Sequence, residues 1–431
     1  MADVLKVNNK IFRIMKKIKF FAPLAGIGLL AIMFVVSCSK SEGDDEPVSF
    51  ETDYFGFAVG TSGEKDGVAV GNGGEGMPDE NTQAGIVTAG EWCDLTHWSF
   101  WSKLMLGNNF SDKSDYWQFY TNNRIPVKVT DASGKALPGV KVKLLHNGEG
   151  EPSVVWETVT DNHGLAECWV GLFQKTEVNP ANLRISVNGE VMDGNPKLCP
   201  LDSLLQSEPL NTYVCKKAPS VSQQADIAFI VDATGSMMDE IDFLKQDLVD
   251  IINKVKSVRP GMKMRTAALF YRDDGDEYVT RHQNFTDNVN KTASFVKNQS
   301  ADGGGDYPEA VHTALEKTLQ DLSWDNNART RLAFMVLDAP AHHETQIIRS
   351  LQQSVATCAK LGIKLIPVAA SGVDKNTEFM LRFFANATGG TYVFLTDHSG
   401  VGNSHMAASV GEYEVEQLNN LLIRLISSYT E

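Results

Sequence analysis

The stretch that most constrains this chain runs from Ala225 to Met238, ADIAFIVDATGSMM. Residues Ile227 to Val231 carry no charge and are β-branched, aromatic or small, as in a strand buried on both faces of a parallel sheet. Asp232 ends the apolar run. Thr234 and Ser236 follow at alternate positions, Gly235 lets the backbone turn, and an amphipathic helix begins near Met237. Three oxygens therefore converge above one strand end, which in an open parallel sheet is the crevice where ligands bind. Hard oxygen donors suit Mg2+, Mn2+ or Ca2+, so a metal site is expected there.

Apolar strands and amphipathic helices alternate from this point to the last residue. The patterns place helices over 237–258, 309–322, 346–361, 377–387 and 413–428, and strands over 264–271, 331–337, 363–369 and 391–395. This rhythm requires right-handed crossovers and an α/β doubly wound, Rossmann-like sheet over residues 225–431. Two later stretches carry further oxygen donors. Gly303, Gly304, Gly305 and Asp306 lead through Tyr307, Pro308 and Glu309 into a helix, and the strand Leu332 to Leu337 ends in Asp338, Ala339 and Pro340.

Asp-x-Thr-Gly-Ser after an apolar strand, followed in order by these two loops, resembles the metal-ion-dependent adhesion site of von Willebrand factor type A domains. The resemblance covers about residues 222 to 431. It implies that Asp306, standing where many members have Thr, and Asp338 join Asp232, Thr234 and Ser236 around one Mg2+. It also implies an open metal position for the carboxylate of a protein ligand. Such a centre binds rather than turns over, so no catalytic residue is expected. A third carboxylate at Asp306 would neutralise the metal further and weaken its hold on an acidic ligand.

Ahead of this region the chain changes character several times. Residues 1–37 hold Lys6, Lys10, Arg13, Lys16, Lys17 and Lys19 against one acid, Asp3, and then the apolar run Phe20 to Val36, the pattern of a signal peptide. The run ends at Val35, Val36, Ser37 and Cys38, which resembles a bacterial lipobox and implies acylation of Cys38 and a lipid anchor in the membrane. Residues 38–50 form a polar, acidic tether. Cys38 followed by Ser39, Lys40 and acids resembles the export signal of surface lipoproteins in Bacteroidota-like bacteria, which implies an outer-membrane protein exposed at the cell surface.

Residues 51–121 are rich in Gly and Trp, and Trp92, Trp98, Trp101 and Trp117 are expected to serve packing rather than glycan stacking. Over residues 122–216 apolar positions alternate with period two around turn residues, which predicts short strands in a β-sandwich. Val127, Val129, Asp131, Gly134 and the later Thr160, Asp161 and Gly164 resemble immunoglobulin-like and carboxypeptidase-regulatory-like modules. Residues 217–224 read as a linker. Cys93, Cys168, Cys199 and Cys215 are candidates for disulfides if the protein is exported, in any of three connectivities.

The formal net charge is −15, and without residues 1–37 it falls to −20. Such acidity, with no basic stripe, excludes nucleic acid as a partner. Oligomeric state is not legible. Adhesion to a protein ligand is the expected function. Two alternatives stand beside it. One is assembly of a cell-envelope complex with a purely structural metal. The other is a metal-dependent hydrolase using His342, His343 and Glu344.

Overall fold

The computed structural model describes residues 87–107, 110–148, 151–201, 209–397 and 406–431. The signal segment, Cys38 and the acidic tether lie outside these residues.

The described chain opens with strand β1 (Thr88–Trp92) and two helices, α1 (Trp98–Leu106) and α2 (Ser111–Trp117). Eight short strands follow: β2 (Asn123–Thr130), β3 (Lys141–His146), β4 (Ser153–Val159), β5 (Leu165–Trp169), β6 (Leu183–Val187), β7 (Glu190–Val191), β8 (Cys199–Pro200) and β9 (Asn211–Val214). They make two four-stranded sheets, one with β2 between β5 and the pair β8 and β9, the other in the order β4-β3-β6-β7. Alternate residues of these strands, including Val127, Val129, Val142, Leu144, Ile185 and Val187, are buried in one apolar core.

From β10 (Ser222–Asp232) strands and helices alternate: α3 (Met238–Val258), β11 (Lys263–Tyr271), β12 (Thr280–Thr286), α4 (Val289–Lys297), α5 (Val311–Gln320), β13 (Ala328–Leu337), α6 (Thr345–Leu361), β14 (Ile363–Ala369), α7 (Lys375–Thr388), β15 (Tyr392–Thr396), β16 (Glu416–Gln417) and α8 (Leu418–Tyr429). The result is a mixed α/β sheet of eight strands in the order β12-β11-β10-β13-β14-β15-β1-β16. Its five central strands are parallel, and β12 and β1 flank them antiparallel. Strand β10 is covered on both faces, which explains its unbroken apolar run. Ile227, Phe229 and Val231 pack with α3, α4 and α8, while Ile230 shares a core with α5, α6 and α7.

The sheet does not begin at the linker expected over 217–224. Thr88–Trp92, from the stretch set apart as an N-terminal module, pairs antiparallel with β15 from Thr88 opposite Thr396 to Trp92 opposite Tyr392. The turn after it is locked by a buried charge pair. Arg382 on α7 has no exposed surface, and its Nε donates to Asp94 Oδ2 at 2.9 Å. Trp92 Nε1 donates to Asp94 Oδ1 at 2.9 Å, and Asn386 also reaches the carboxylate. Around the pair the tryptophans pack as expected: Trp98, Trp101 and Trp117 are buried, Trp101 stacks on Phe379, and Phe119 stacks on Phe383 with ring centroids 4.1 Å apart.

Among the described residues, no disulfide joins Cys93, Cys168 and Cys215 to one another. Cys93, Cys168 and Cys215 are free thiols. Cys168 and Cys199 lie on opposite sides of β2, facing Ile125 and Arg124. Two strand spacings put such residues roughly 9.6 Å apart, beyond the Cα separation a disulfide spans. Cys215, bonded to Thr130, sits farther along β2, and Cys93 follows β1 in the other sheet. Cys168 and Cys358 instead behave as small buried apolar groups, and burial pushes the Cys358 thiol up to about 12.

Replacing Asp94 with Ala leaves the Arg382 guanidinium buried with Glu378 as its remaining carboxylate partner. Loss of one member of a buried pair costs about 3–5 kcal/mol. Chemical denaturation of Asp94→Ala is therefore expected to show a loss of about 3 kcal/mol or more. A change below about 1 kcal/mol would mean that the pair does not hold β1 to the sheet.

Candidate metal centre

Asp232 closes β10 opposite Tyr271, the last residue of β11, and has no exposed surface. Its Oδ1 accepts the backbone N–H of Thr234 at 2.9 Å and the Thr234 hydroxyl at 2.7 Å, which folds the loop back over the strand end. Its Oδ2 is buried with no well-formed hydrogen bond, and the buried Tyr271 hydroxyl close to this carboxylate is likewise unpaired. An unpaired buried carboxylate oxygen is costly, so something must compensate it. Asp338 follows the last residue of β13, the neighbouring strand, with Ser236 close to its carboxyl. Burial raises the Asp338 carboxyl, and burial followed by the charge of Asp338 raises that of Asp232 to about 7.

The loop before α5 supplies a third buried carboxylate, and it is not the expected one. Glu309 is 4% exposed, whereas Asp306 is exposed and its charge acts on His342. The Glu309 backbone N–H donates to the Pro340 carbonyl at 2.9 Å, and Glu309 forms a parallel bridge with Ala341. These contacts zip the loop against the one that carries Asp338 and turn the Glu309 side chain inward. Its Oε2 is buried without a hydrogen-bond partner. Burial, then the charges of Asp232, Asp273 and Asp338, push the carboxyl up to about 9. Gly304 closes over the same spot with φ +78, and a Cβ there would stand 3.2 Å from Thr234 Cβ and 3.3 Å from Glu309 Oε1. Only glycine fits that turn.

The structure thus brings Asp232, Thr234, Ser236 and Asp338 together, leaves Asp306 on the rim and adds Glu309. The sequence reading passes over Glu309 because Asp306 follows the three glycines directly. The available signal was the position of Glu309 beside Ala310 and Val311, two apolar residues that must enter the core. Neighbouring groups brace the loops. The Tyr307 hydroxyl contacts the Asp338 and Gly372 carbonyls at 3.4 and 3.2 Å and accepts the Asp374 N–H at 3.1 Å. Arg272, 3% exposed, donates to the carbonyls of Ala233 and Ser300. His342 pairs with Asp273 at 2.7 Å, and His343 stacks on Tyr116 and bonds its carbonyl at 2.6 Å, so both histidines are engaged in holding loops.

Two unpartnered carboxylate oxygens, Asp232 Oδ2 and Glu309 Oε2, with the hydroxyls of Thr234 and Ser236, are donors that fit a hard divalent cation. Among the described residues no three His, Cys, Asp or Glu side chains form a cage by themselves. A cation here would draw on the hydroxyls and on water as well.

Residues 226–397 match the von Willebrand factor A domain family, and the mixed α/β sheet is consistent with such a domain. Among curated relatives, a putative ariadne-like RING finger protein of Acanthamoeba polyphaga mimivirus is 28% identical over 138 residues, 31% of this chain and 13% of the relative. The alpha-protein kinase vwkA of Dictyostelium discoideum is 24% identical over 216 residues, 50% of this chain and 34% of the kinase. The chain therefore spans about a third of one relative's length and about an eighth of the other's. Solved structures that resemble it include the conserved hypothetical protein BatB from Bacteroides thetaiotaomicron, 12% identical with a TM-score of 0.34 over 48% of this chain and 98% of that one. Another is the pilus adhesin SpaC from Lactobacillus rhamnosus GG, 10% identical with a TM-score of 0.36 over 49% and 31%.

Between the unfolded value of a glutamate, about 4.3, and about 9 the metal-free folded protein holds a proton on Glu309 that the unfolded chain has lost. Its stability therefore falls as pH rises through that window. In EDTA the melting temperature is expected to drop from pH 5.5 to 8.5. Glu309→Gln should match the wild type at pH 5.5 and exceed it at pH 8.5. Parallel pH curves for the two proteins, followed by scanning calorimetry, would show that Glu309 is not held in a charge-hostile site.

Proposed function

We propose that this protein is a surface-anchored binding protein whose von Willebrand factor A domain holds one divalent cation, Mg2+ or else Mn2+ or Ca2+, and uses it to grip a protein ligand through a carboxylate. The observation that carries this reading is the pair of buried, unpartnered oxygens, Asp232 Oδ2 and Glu309 Oε2, beside the Thr234 and Ser236 hydroxyls. A cation at that point would satisfy both oxygens and offset the burial of three carboxylates. The chemistry it supplies is Lewis-acid attraction for an incoming oxygen. The protein's own residues do the rest: Asp232 and Asp338 hold charge, Thr234 and Ser236 fix the loop, and Asp306 stands exposed on the rim.

Binding rather than turnover is the reading, because His342 and His343 are tied to Asp273 and Tyr116. No nucleophile, base and orienting group are assigned there. The two four-stranded sheets act as an immunoglobulin-like spacer. Cys38 carries the lipid that anchors the chain to a bacterial outer membrane, with the binding domain at the cell surface.

Calorimetry with Mg2+ and Mn2+ tests the centre. Asp232→Ala should keep the wild-type circular dichroism and lose metal affinity by more than about 100-fold, since outer-shell changes alone cost about 10–100-fold. Unchanged affinity would remove the assignment. Fatty-acid labelling of wild type and Cys38→Ala tests the anchor: label is expected on the former alone, and an unlabelled wild type that sediments with membranes would overturn it.

A further inference from the structure

The acidic surroundings of the centre restrict what can approach it. Asp232, Glu309 and Asp338 set three carboxylates against the two positive charges of a divalent ion. The filled centre then has no surplus positive charge with which to draw a bare carboxylate. Around it, loops at the same end of the sheet expose Asp274, Asp306 and Glu344. Among the described residues, the basic groups nearby are taken up within the protein. Arg272 is buried against backbone carbonyls, Arg281 pairs with Glu277, and Lys375 is bound to Glu378 and Ser409. An acidic ligand would meet repulsion over roughly a Debye length, about 8 Å at physiological salt.

Two tyrosines interrupt the acidic rim. Tyr116 is 41% and Tyr307 44% exposed. The Tyr116 ring lies on His343 and the Tyr307 hydroxyl is tied to the Asp338 and Gly372 carbonyls, so both are held in place. Such rings attract cations. Tyr278 at the same end already does so, with the Arg272 and Arg281 guanidiniums 4.6 and 3.8 Å from its centroid. The buried, unpartnered oxygens of Asp232 and Glu309 mark the middle of this rim as a place built to receive a ligand group.

We infer that the partner is a basic protein segment: one Asp or Glu side chain for the metal, with Arg or Lys within about three residues on either side to lie against the acidic rim and the Tyr116 and Tyr307 rings. Attraction of the flanking cations then offsets the repulsion that the carboxylate alone would meet. This inference rests on the metal-dependent binding proposed above.

The test is a displayed library of random peptides selected on the soluble chain in Mg2+ and eluted with EDTA. The eluted peptides are expected to carry Asp or Glu flanked by Arg or Lys several-fold more often than the input library. In a synthetic copy of a selected peptide, changing the flanking Arg and Lys to Ser should cost about 10-fold in affinity. On the Asp274→Asn, Glu344→Gln double variant that cost should shrink to about 2–3-fold. Eluted peptides with the acid in a neutral or apolar setting, or a Ser-flanked copy that binds equally well, would overturn the basic-segment inference while leaving metal-dependent binding intact. Basic peptides that stay bound in EDTA would overturn it as well, since the rim would then act without the metal. An empty EDTA eluate would remove the metal-dependent reading itself, and this inference with it.

Discussion

A carboxylate with no exposed surface at the end of a wholly apolar strand is the constraint on which the rest of this structure turns. Asp232 sits where β10 leaves the sheet, flanked by β11 and β13 along nearly its whole length. The arginines of those neighbours are engaged elsewhere, Arg265 with Asp226 and Arg331 with the Leu361 carbonyl, and one oxygen of the Asp232 carboxylate is satisfied by the loop that follows it. Asp338 and Glu309 add to the electrostatic load rather than relieve it, as the upward shifts of all three carboxyls record. Perturbed carboxyls gathered in a cleft mark a candidate functional site.

The scaffold bears this load because the strands beneath are fully packed. Phe229 and Phe334 stack across adjacent strands on one face, and Ile230 meets the apolar faces of α5, α6 and α7 on the other. The loops above are then braced by backbone contacts rather than by their own side chains, with Glu309 bonded to Pro340 and Arg272 pinning Ala233 and Ser300. The β1 segment adds a further restraint. It closes the far side of the sheet, and the Asp94–Arg382 pair joins it to α7, whose first residues also meet the Tyr307 network. The Trp-rich stretch is thus part of the same packed body as the acidic centre.

Much of this was legible from residues alone where pattern and length agreed. The apolar runs at Ile227, Leu332 and Ile363 became β10, β13 and β14 because each is too short for a helix and too apolar for an exposed strand. Asp232, Thr234, Ser236 and Asp338 could be grouped because they follow such strands directly. Three features were not legible. Thr88–Trp92 joins a sheet whose other strands begin more than a hundred residues later, and no local signal encodes so distant a pairing. The edge strand Thr280–Thr286 is mostly polar, since one of its sides has no neighbour to bury it. Glu309 lost to Asp306 because the inward turn of its side chain depends on the bridge to Ala341, a contact between loops far apart in sequence. The cysteines misled for a related reason: their spacing is compatible with disulfides, but β2 runs between Cys168 and Cys199.

The proposed centre is a divalent cation held at the C-terminal end of the parallel strands by Asp232 and Asp338 with Glu309, the Thr234 and Ser236 hydroxyls and water. Anomalous diffraction from crystals grown with Mn2+ measures this directly. The account predicts one strong anomalous peak between the Asp232 and Asp338 side chains, with Glu309 bound to it directly or through one water and Asp306 farther away. A peak held by Asp306 with Glu309 turned away, or no peak at that end of the sheet at saturating Mn2+, would contradict it.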